Sequence, residues 1–359
     1  MQSRVLGRSG ITISEIGVGC WAIGGPDWNL QMPMGWGGVA DEWSLSGLYR
    51  AYELGATYFD TADVYGHGHS ERLLGKFLTT IQRDEVVIGT KVGYFRGCAA
   101  HAYDPIHMRH QLEMSLRNLG TDYIDIYYFH NLYFGDTDEY FTGAVEAMRR
   151  FQQEGKIRVI GQRGPHKYAP QRKLTTIDPV SEYERFLHVA SIVRPEVVQI
   201  RYNMISPTFD TADADIFAWA ETNAVGIVIN KPLGQGLLLD KYDPNEPMLF
   251  EAGDHRSRKL WFRPEGLHIL HERLSPIKQR FGGEIVDMIR VAIQYCLARS
   301  PMACVAVGFK NPEQVEMNLA ATGAYLTADD VAFIRQTMEG VNAEVGSFFG
   351  DASHGQNQS

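Results

Sequence analysis

Short apolar runs alternate along the chain with longer stretches in which apolar residues return every three or four positions. The first pattern suits buried strands and the second suits amphipathic helices. The short runs fall at Ile16–Gly19, Tyr58–Asp60, Val86–Thr90, Ile124–His130, Arg158–Gly161, Val197–Arg201, Gly226–Ile229 and Cys304–Val307. Helical spacing covers Asp41–Leu54, His69–Leu78, Pro105–Leu119, Tyr140–Gln153, Ser181–Val193, Asp213–Thr222, Gly283–Arg299 and Pro312–Ala321. Eight strands with a helix after each predict a closed (β/α)8 TIM barrel. An open doubly wound sheet is the competitor, and it should carry GxGxxG after its first strand. Gly17-Val-Gly19-Cys-Trp-Ala-Ile-Gly24 does not fit that spacing. Ahead of the first run, Gly7 and Ser9-Gly10 suit a tight turn, so Arg4–Ser14 is expected to form a β-hairpin capping the barrel floor. Leu239–Glu272 is long, polar and weakly periodic, and reads as an extended loop with some helix over the barrel top. No break in composition marks a second domain. Residues 1–345 are expected to form one barrel domain, and the small polar residues of 346–359 a flexible tail.

The 359 residues are 44% hydrophobic, enough for a large core. No apolar run approaches the roughly 20 residues that span a bilayer. The opening MQSRVLGRSG lacks the apolar centre of a signal peptide, so a cytoplasmic location is expected. Cys20, Cys98, Cys296 and Cys304 are scattered without CxxC spacing, which argues against a disulfide framework or a metal cluster. Net charge is -9 with no long basic run, so neither nucleic acid nor membrane is an expected partner.

Reactive groups in such barrels gather at the C-terminal ends of strands. The second run ends in Asp60, and its loop, YFDTADVYGHGHSE, carries Asp63 and Tyr65. The third ends in Lys91 and the fourth in His130. An ammonium beside a phenol favours phenolate, so Lys91 is expected to lower the Tyr65 pKa while Asp60 keeps the lysine charged. His130 can donate a hydrogen bond to a developing oxyanion. Together these groups form a general acid able to protonate an alkoxide made by hydride attack on a carbonyl. Any one of them alone is more often a structural hydrogen-bonding residue; the four together carry the reading. Asp63 suits loop amides as well as chemistry. His67, His69 and Glu71 are separated by Gly66 and Gly68 and no second cluster joins them, so no metal site is expected.

At these residues the chain resembles the aldo-keto reductase superfamily. The likeness runs through RVLGRSGITISEIGVGCWAIGG, FDTADVYGHGHSERLLG, TKVGY, DYIDIYYFH, GKIRVIG, VQIRYN, PLGQGLL and NPEQVEMNLAA, in the family's order. It implies a (β/α)8 barrel that binds NADP(H), or less often NAD(H), in an extended pose. It implies a catalytic set of Asp60, Tyr65, Lys91 and His130, with hydride passing to a small-molecule carbonyl and Tyr65 delivering the proton. Gln199 then corresponds to a residue holding the nicotinamide carboxamide. Pro232, Leu233, Gly234, Gln235 and Gly236 form the loop over the pyrophosphate, where glycines let backbone amides approach closely. Lys310 stands near the adenosine 2′-phosphate, and Gln314 and Asn318 near adenine, beside a helix N-terminus that favours anions.

The pattern departs in three places around the cofactor. Arg163 and Gly164 stand where the resemblance puts Ser and Asn, and Gly164-Pro165 suggests a changed turn. Two readings of Arg163 are open: pairing with a rim carboxylate, which is favoured, or contact by Arg163 or His166 with an anionic or polyhydroxyl substrate. Asn230-Lys231 replaces an aromatic or Arg, and Met317 replaces a common Glu. Trp21, Trp28, Trp36 and Tyr94 are candidates to line the substrate cavity. The leading function is a nicotinamide-dependent carbonyl reductase or alcohol dehydrogenase. The alternatives are an isomerase or dehydratase that keeps NADP bound, and a cofactor-sensing regulatory subunit. The chain is expected to work as a monomer or homo-oligomer.

Overall fold

The computed structural model describes residues 1–29, 31–165, 179–207, 210–246, 248–323 and 325–350. His166 therefore lies outside the described residues, as does 351–359, most of the expected tail; residues 346–350 belong to a helix. The chain opens with a hairpin of β1 (Ser3–Val5) and β2 (Thr12–Ser14), paired antiparallel. Then come β3 (Ile16–Gly19), a small ribbon of β4 (Trp28–Asn29) and β5 (Met32–Pro33), and β6 (Tyr58–Asp60). They are followed by β7 (Val87–Val92), β8 (Ile124–Phe129), β9 (Ile157–Arg163) and β10 (Val197–Arg201). A second ribbon, β11 (Asp210–Thr211) with β12 (Ala214–Asp215), precedes β13 (Gly226–Asn230) and β14 (Ala303–Gly308). Strands β3, β6, β7, β8, β9, β10, β13 and β14 are the eight expected barrel strands, all parallel, and they close in that order.

The helices between them are α1 (Asp41–Glu53), α2 (His69–Leu78), α3 (Pro105–Leu119), α4 (Phe141–Gln153), α5 (Pro179–Val193) and α6 (Ile216–Thr222). The later ones are α7 (Pro264–Phe281), α8 (Ile285–Leu297), α9 (Pro312–Leu319), α10 (Ala328–Met338) and α11 (Val341–Gly350). Local chemistry sets their ends. The Asp104 side chain accepts from the amides of Ile106 and His107, Pro105 opens α3, and Gly120 closes it at φ 63°. Helix α7 was not expected at this length. Its buried Leu267, Leu270, Leu274 and Ile277 have helical spacing, but Pro276 inside the helix and an otherwise polar surface obscure the pattern.

Two apolar shells result. One lies between strands and helices. The other fills the barrel and contains Tyr58, Val87, Ile126, Tyr128, Val159, Val197, Val228 and Cys304. Leu6, Ile11 and Ile13 from the hairpin complete this inner cluster, so the hairpin plugs the floor. Strand side chains alternate in direction. Inward positions two or four residues further along bring one residue from each strand, or from the position just after it, into a ring above this cluster: Gly19, Asp60, Lys91, His130, Arg163, Gln199, Asn230 and Gly308. Where the ring is polar, the layer below is packed tightly. A Cβ at Gly161 would overlap the ring of Tyr128, itself fully buried. Gly161→Ala is expected to cost roughly 1–3 kcal/mol of stability through overpacking. Urea unfolding measures this; a change below about 0.5 kcal/mol would show that the interior yields to the added methyl.

Candidate active site

The polar ring sits at the floor of a cleft of about 420 Å³ at the C-terminal mouth of the barrel. Its densest part is a buried hydrogen-bond chain. Lys91 Nζ donates to Asp60 Oδ2 at 2.8 Å and to the Thr61 carbonyl at 2.5 Å. Asp60 Oδ1 accepts from Gln199 Nε2 at 2.7 Å and from the Tyr58 hydroxyl at 3.1 Å. Tyr58 and Tyr128 hydroxyls meet at 3.1 Å. Gln199 Oε1 in turn accepts from Arg163 Nη1 at 3.3 Å. Lys91 has no exposed surface, and Asp60 is 4% exposed.

Tyr65 covers this chain from the loop after β6. Lys91 Nζ lies 5.0 Å from its ring centroid. The Tyr65 ring meets His130 edge-on at 6.0 Å and stacks beside Trp21 at 6.0 Å. Tyr94 meets His130 edge-on at 4.5 Å. The structure thus brings Asp60, Tyr65, Lys91 and His130 to one mouth. It does not lower the Tyr65 pKa. Burial raises it first, the Asp60 carboxylate adds to the rise, and Arg163 opposes. The Lys91 charge is already engaged by Asp60. Burial likewise moves Lys91 below its usual value against the pull of Asp60. His130 is held well below the imidazole range by burial and by Lys91, Arg163 and Lys231, so it stays neutral.

The expected cavity residues divide. Trp21, Trp36, Tyr94 and Arg163 line the cleft. Trp28 does not: it sits on the β4–β5 ribbon, half exposed, with its ring against Gly253. Arg163 forms no ion pair with a carboxylate among the described residues, contrary to the favoured expectation. Asp60 is filled by other donors, and Arg163 turns to the Gln199 carboxamide instead. Of the pyrophosphate loop, Pro232, Leu233, Gln235 and Gly236 line the cleft, whereas Gly234 is buried behind them. Lys310, Gln314, Met317 and Asn318 form the far arm. Lys310 Nζ donates to the Gly37 carbonyl at 2.6 Å, and Asn318 Nδ2 to the Gly308 carbonyl at 3.1 Å. Asn230 is 9% exposed, faces the cleft, and has no partner for either amide atom.

Segment 239–263 contributes residues that sequence reasoning missed: Lys241, Tyr242, His255, Arg256, Arg258 and Lys259. It is tied to the first βα loop. Gly35 N donates to the Gly253 carbonyl at 2.9 Å, His255 N to the Gly35 carbonyl at 3.0 Å, and Gly37 N to Asp254 Oδ2 at 2.9 Å. The Arg256 guanidinium lies 4.6 Å over Trp36. Burial, with Lys231 nearby, pushes His255 down to about 2. The basic residues alone were a signal; their spacing gave no sign that the loop folds back over the cleft.

His67 and His69 pair instead with Asp27 at 2.7 Å and Asp41 at 2.8 Å, outside this cleft. Among the described residues no three His, Cys, Asp or Glu groups cluster so as to hold a metal ion. Nor is any helix among them long and apolar enough to cross a membrane.

The sequence profile described as the Aldo/keto reductase family matches residues 15–339. The chain belongs to the aldo/keto reductase family. That family consists of oxidoreductases that use nicotinamide cofactors. A relative from Escherichia coli strain K12, the NADH-specific methylglyoxal reductase, is 26% identical, and the match covers 94% of this chain and 99% of that protein. L-Galactose dehydrogenase of Arabidopsis thaliana is 26% identical over 89% of this chain and 88% of its own. Among solved structures, the holo form of aldo-keto reductase AKR11C1 from Bacillus halodurans superposes with a TM-score of 0.68 at 25% identity, covering 94% of this chain and 96% of that one. The glycerol dehydrogenase AKR11B4 from Gluconobacter oxydans gives 0.70 at 22% identity, covering 91% and 92%, a likeness of fold.

Beside this cleft, Asp63 is buried, accepts from Gln111 Nε2 at 3.2 Å, and leaves Oδ1 without a partner. Burial and then the Glu71 charge raise its pKa well above 3.8. A raised carboxyl destabilises the fold progressively as pH climbs past the unfolded value. Asp63→Asn removes that penalty. Its melting temperature is expected to exceed the parent's at pH 7 by about 1–2 °C, the effect of about 1 kcal/mol in a chain of this size at about 2.1 cal/mol/K per residue. The gain should shrink toward zero near pH 4. Thermal melts at both pH values check this; an equal gain at each would rule out titration as the cause.

Proposed function

We propose that the chain is an NAD(P)H-dependent reductase of aldehydes, ketones or sugar-like carbonyls, with Tyr65 as the proton donor. The observation that carries this reading is the convergence of a phenol, a neutral imidazole and a buried Lys91–Asp60 pair at one end of an open cleft. The residues present also fit a nicotinamide dinucleotide. Asn230 offers an unpartnered donor and acceptor, the complement of a carboxamide. Gly19 and Gly308 leave bare backbone beside it: a Cβ at Gly308 would meet only the Gly19 carbonyl, at 3.9 Å. Lys241, Arg256 and Lys310 along the far arm suit phosphates. This basic arm favours NADP(H), and NAD(H) is the alternative. Gln199 is a weaker candidate for the carboxamide, since both ends of its amide are engaged.

When bound, the cofactor supplies a hydride to the carbonyl carbon. The protein's work is on the oxygen. Tyr65 keeps its proton through the neutral range because burial disfavours the phenolate. It releases that proton only to the stronger base that forms when the carbonyl becomes an alkoxide. His130, neutral, can donate one N–H to the same oxygen. Lys91 then faces a nascent phenolate, and Asp60 fixes the lysine so that no reorganisation is needed. Trp21, Tyr94 and Val64 wall the reacting end with apolar surface that excludes water.

Tyr65→Phe tests this. Turnover of aldehydes should fall by at least about 100-fold, the scale of general acid catalysis, while NADPH affinity by fluorescence titration changes less than about twofold. Equal rates for variant and parent would remove Tyr65 from the donor role. Cofactor binding by the parent without oxidation in the presence of any carbonyl would point to the regulatory reading instead.

A further inference from the structure

Arg163 is the one ring residue whose charge the described structure leaves without an opposite. It is 6% exposed and lines the cleft. Its hydrogen-bond partner is a neutral amide oxygen, Gln199 Oε1 at 3.3 Å, reached through Nη1. Asp60, the acid of the ring, already takes Lys91, Gln199 and Tyr58. Asp60, Lys91 and Arg163 together therefore carry one surplus positive charge in a buried setting. A buried charge without an opposite is costly, and a guanidinium keeps five N–H donors in a fixed fork. Both Tyr65 and His130 feel the Arg163 charge, so it lies near the reacting end of the cleft rather than its far arm. The far arm has its own cations in Lys241, Arg256 and Lys310.

Resting on the reductase reading, we propose that Arg163 anchors a substrate carboxylate. The preferred substrates are then carbonyl compounds that bear a carboxylate next to the reacting carbon, the 2-oxo acids, reduced to 2-hydroxy acids. The remaining N–H groups of the fork match the two carboxylate oxygens, and the neighbouring carbonyl oxygen falls to Tyr65 and His130. The aromatic wall of Trp21 and Tyr94 accommodates an apolar tail.

Phenylglyoxylate and its methyl ester separate the possibilities, since they share a ketone and differ in charge. The full chain is assayed with both substrates, with 4-nitrobenzaldehyde as a neutral reference, and with NADPH and NADH. The parent should show a kcat/KM for the acid at least about tenfold above that for the ester. Arg163→Gln should lose about 100-fold on the acid, mainly through KM, the scale of a lost charged hydrogen-bond pair. The ester and the aldehyde, which meet Arg163 only through its field on Tyr65 and His130, should lose at least about tenfold less than the acid, and the cofactor Kd from fluorescence titration should stay constant. Arg163→Lys keeps the charge without the fork and should recover only part of the loss. A parent that prefers the ester, an equal loss on acid and ester, or a cofactor Kd raised tenfold in Arg163→Gln each overturns the anchor; the last would assign Arg163 to the cofactor. If Arg163→Gln does not fold, the parent's acid-to-ester ratio and its fall in Arg163→Lys decide the matter. Reduction of the aldehyde with no preference for the acid defeats the anchor and leaves the reductase reading intact. No turnover of any carbonyl defeats both.

Discussion

The site depends on burying Asp60 as a carboxylate. A charge removed from water is tolerated only when its lone pairs are filled and its charge is opposed. Lys91, Gln199 and Tyr58 meet that requirement from three other points of the barrel wall or its own strand. In doing so they fix one another. Lys91 is held under Tyr65, Gln199 is turned so that its oxygen faces Arg163, and Tyr58 is locked to Tyr128. The carboxylate is thus less a reagent than the centre from which neighbouring groups take their positions.

Much of the fold was legible because parallel strands buried on both faces read as short apolar runs. All eight barrel strands appear where those runs stand, with ends displaced by a few residues at most. Strand β7 runs on to Val92, so Lys91 lies inside it, and β9 continues to Arg163. Helix α7 was missed in part, since an interior proline and a polar exterior disguised a regular apolar spacing. At the site, residues at strand ends were legible because the barrel dictates where such ends converge. Residues of segment 239–263 were not, because a backbone hydrogen bond such as Gly35 to Gly253 leaves no trace in side-chain pattern. The state of Tyr65 was misjudged for a different reason. Proximity to an ammonium is visible in sequence only as residue type; burial and the prior claim of Asp60 on that ammonium belong to the folded chain.

The cleft divides its tasks by height. Apolar side chains and the hairpin plug fill the barrel below the ring. The ring itself carries the polar groups, with glycine on two adjoining strands, β3 and β14. Loops above it supply aromatic walls and cations, bound to one another through Gly35, Gly253 and Asp254. Among the side chains that line the cleft, Asp60 at the ring is the acid, and the basic groups come from the ring and from the loops.

Arg163 and Asn230 extend from β9 and β13, whose backbones are held on both sides by neighbouring strands. Their reach and direction are set by the cylinder and not by any surface excursion. Exchanging the overlying segments with those of another barrel would alter which molecules arrive at the mouth. It would leave untouched the two side chains proposed to meet them there, so on that proposal selectivity is inherited with the staves and not with the lid.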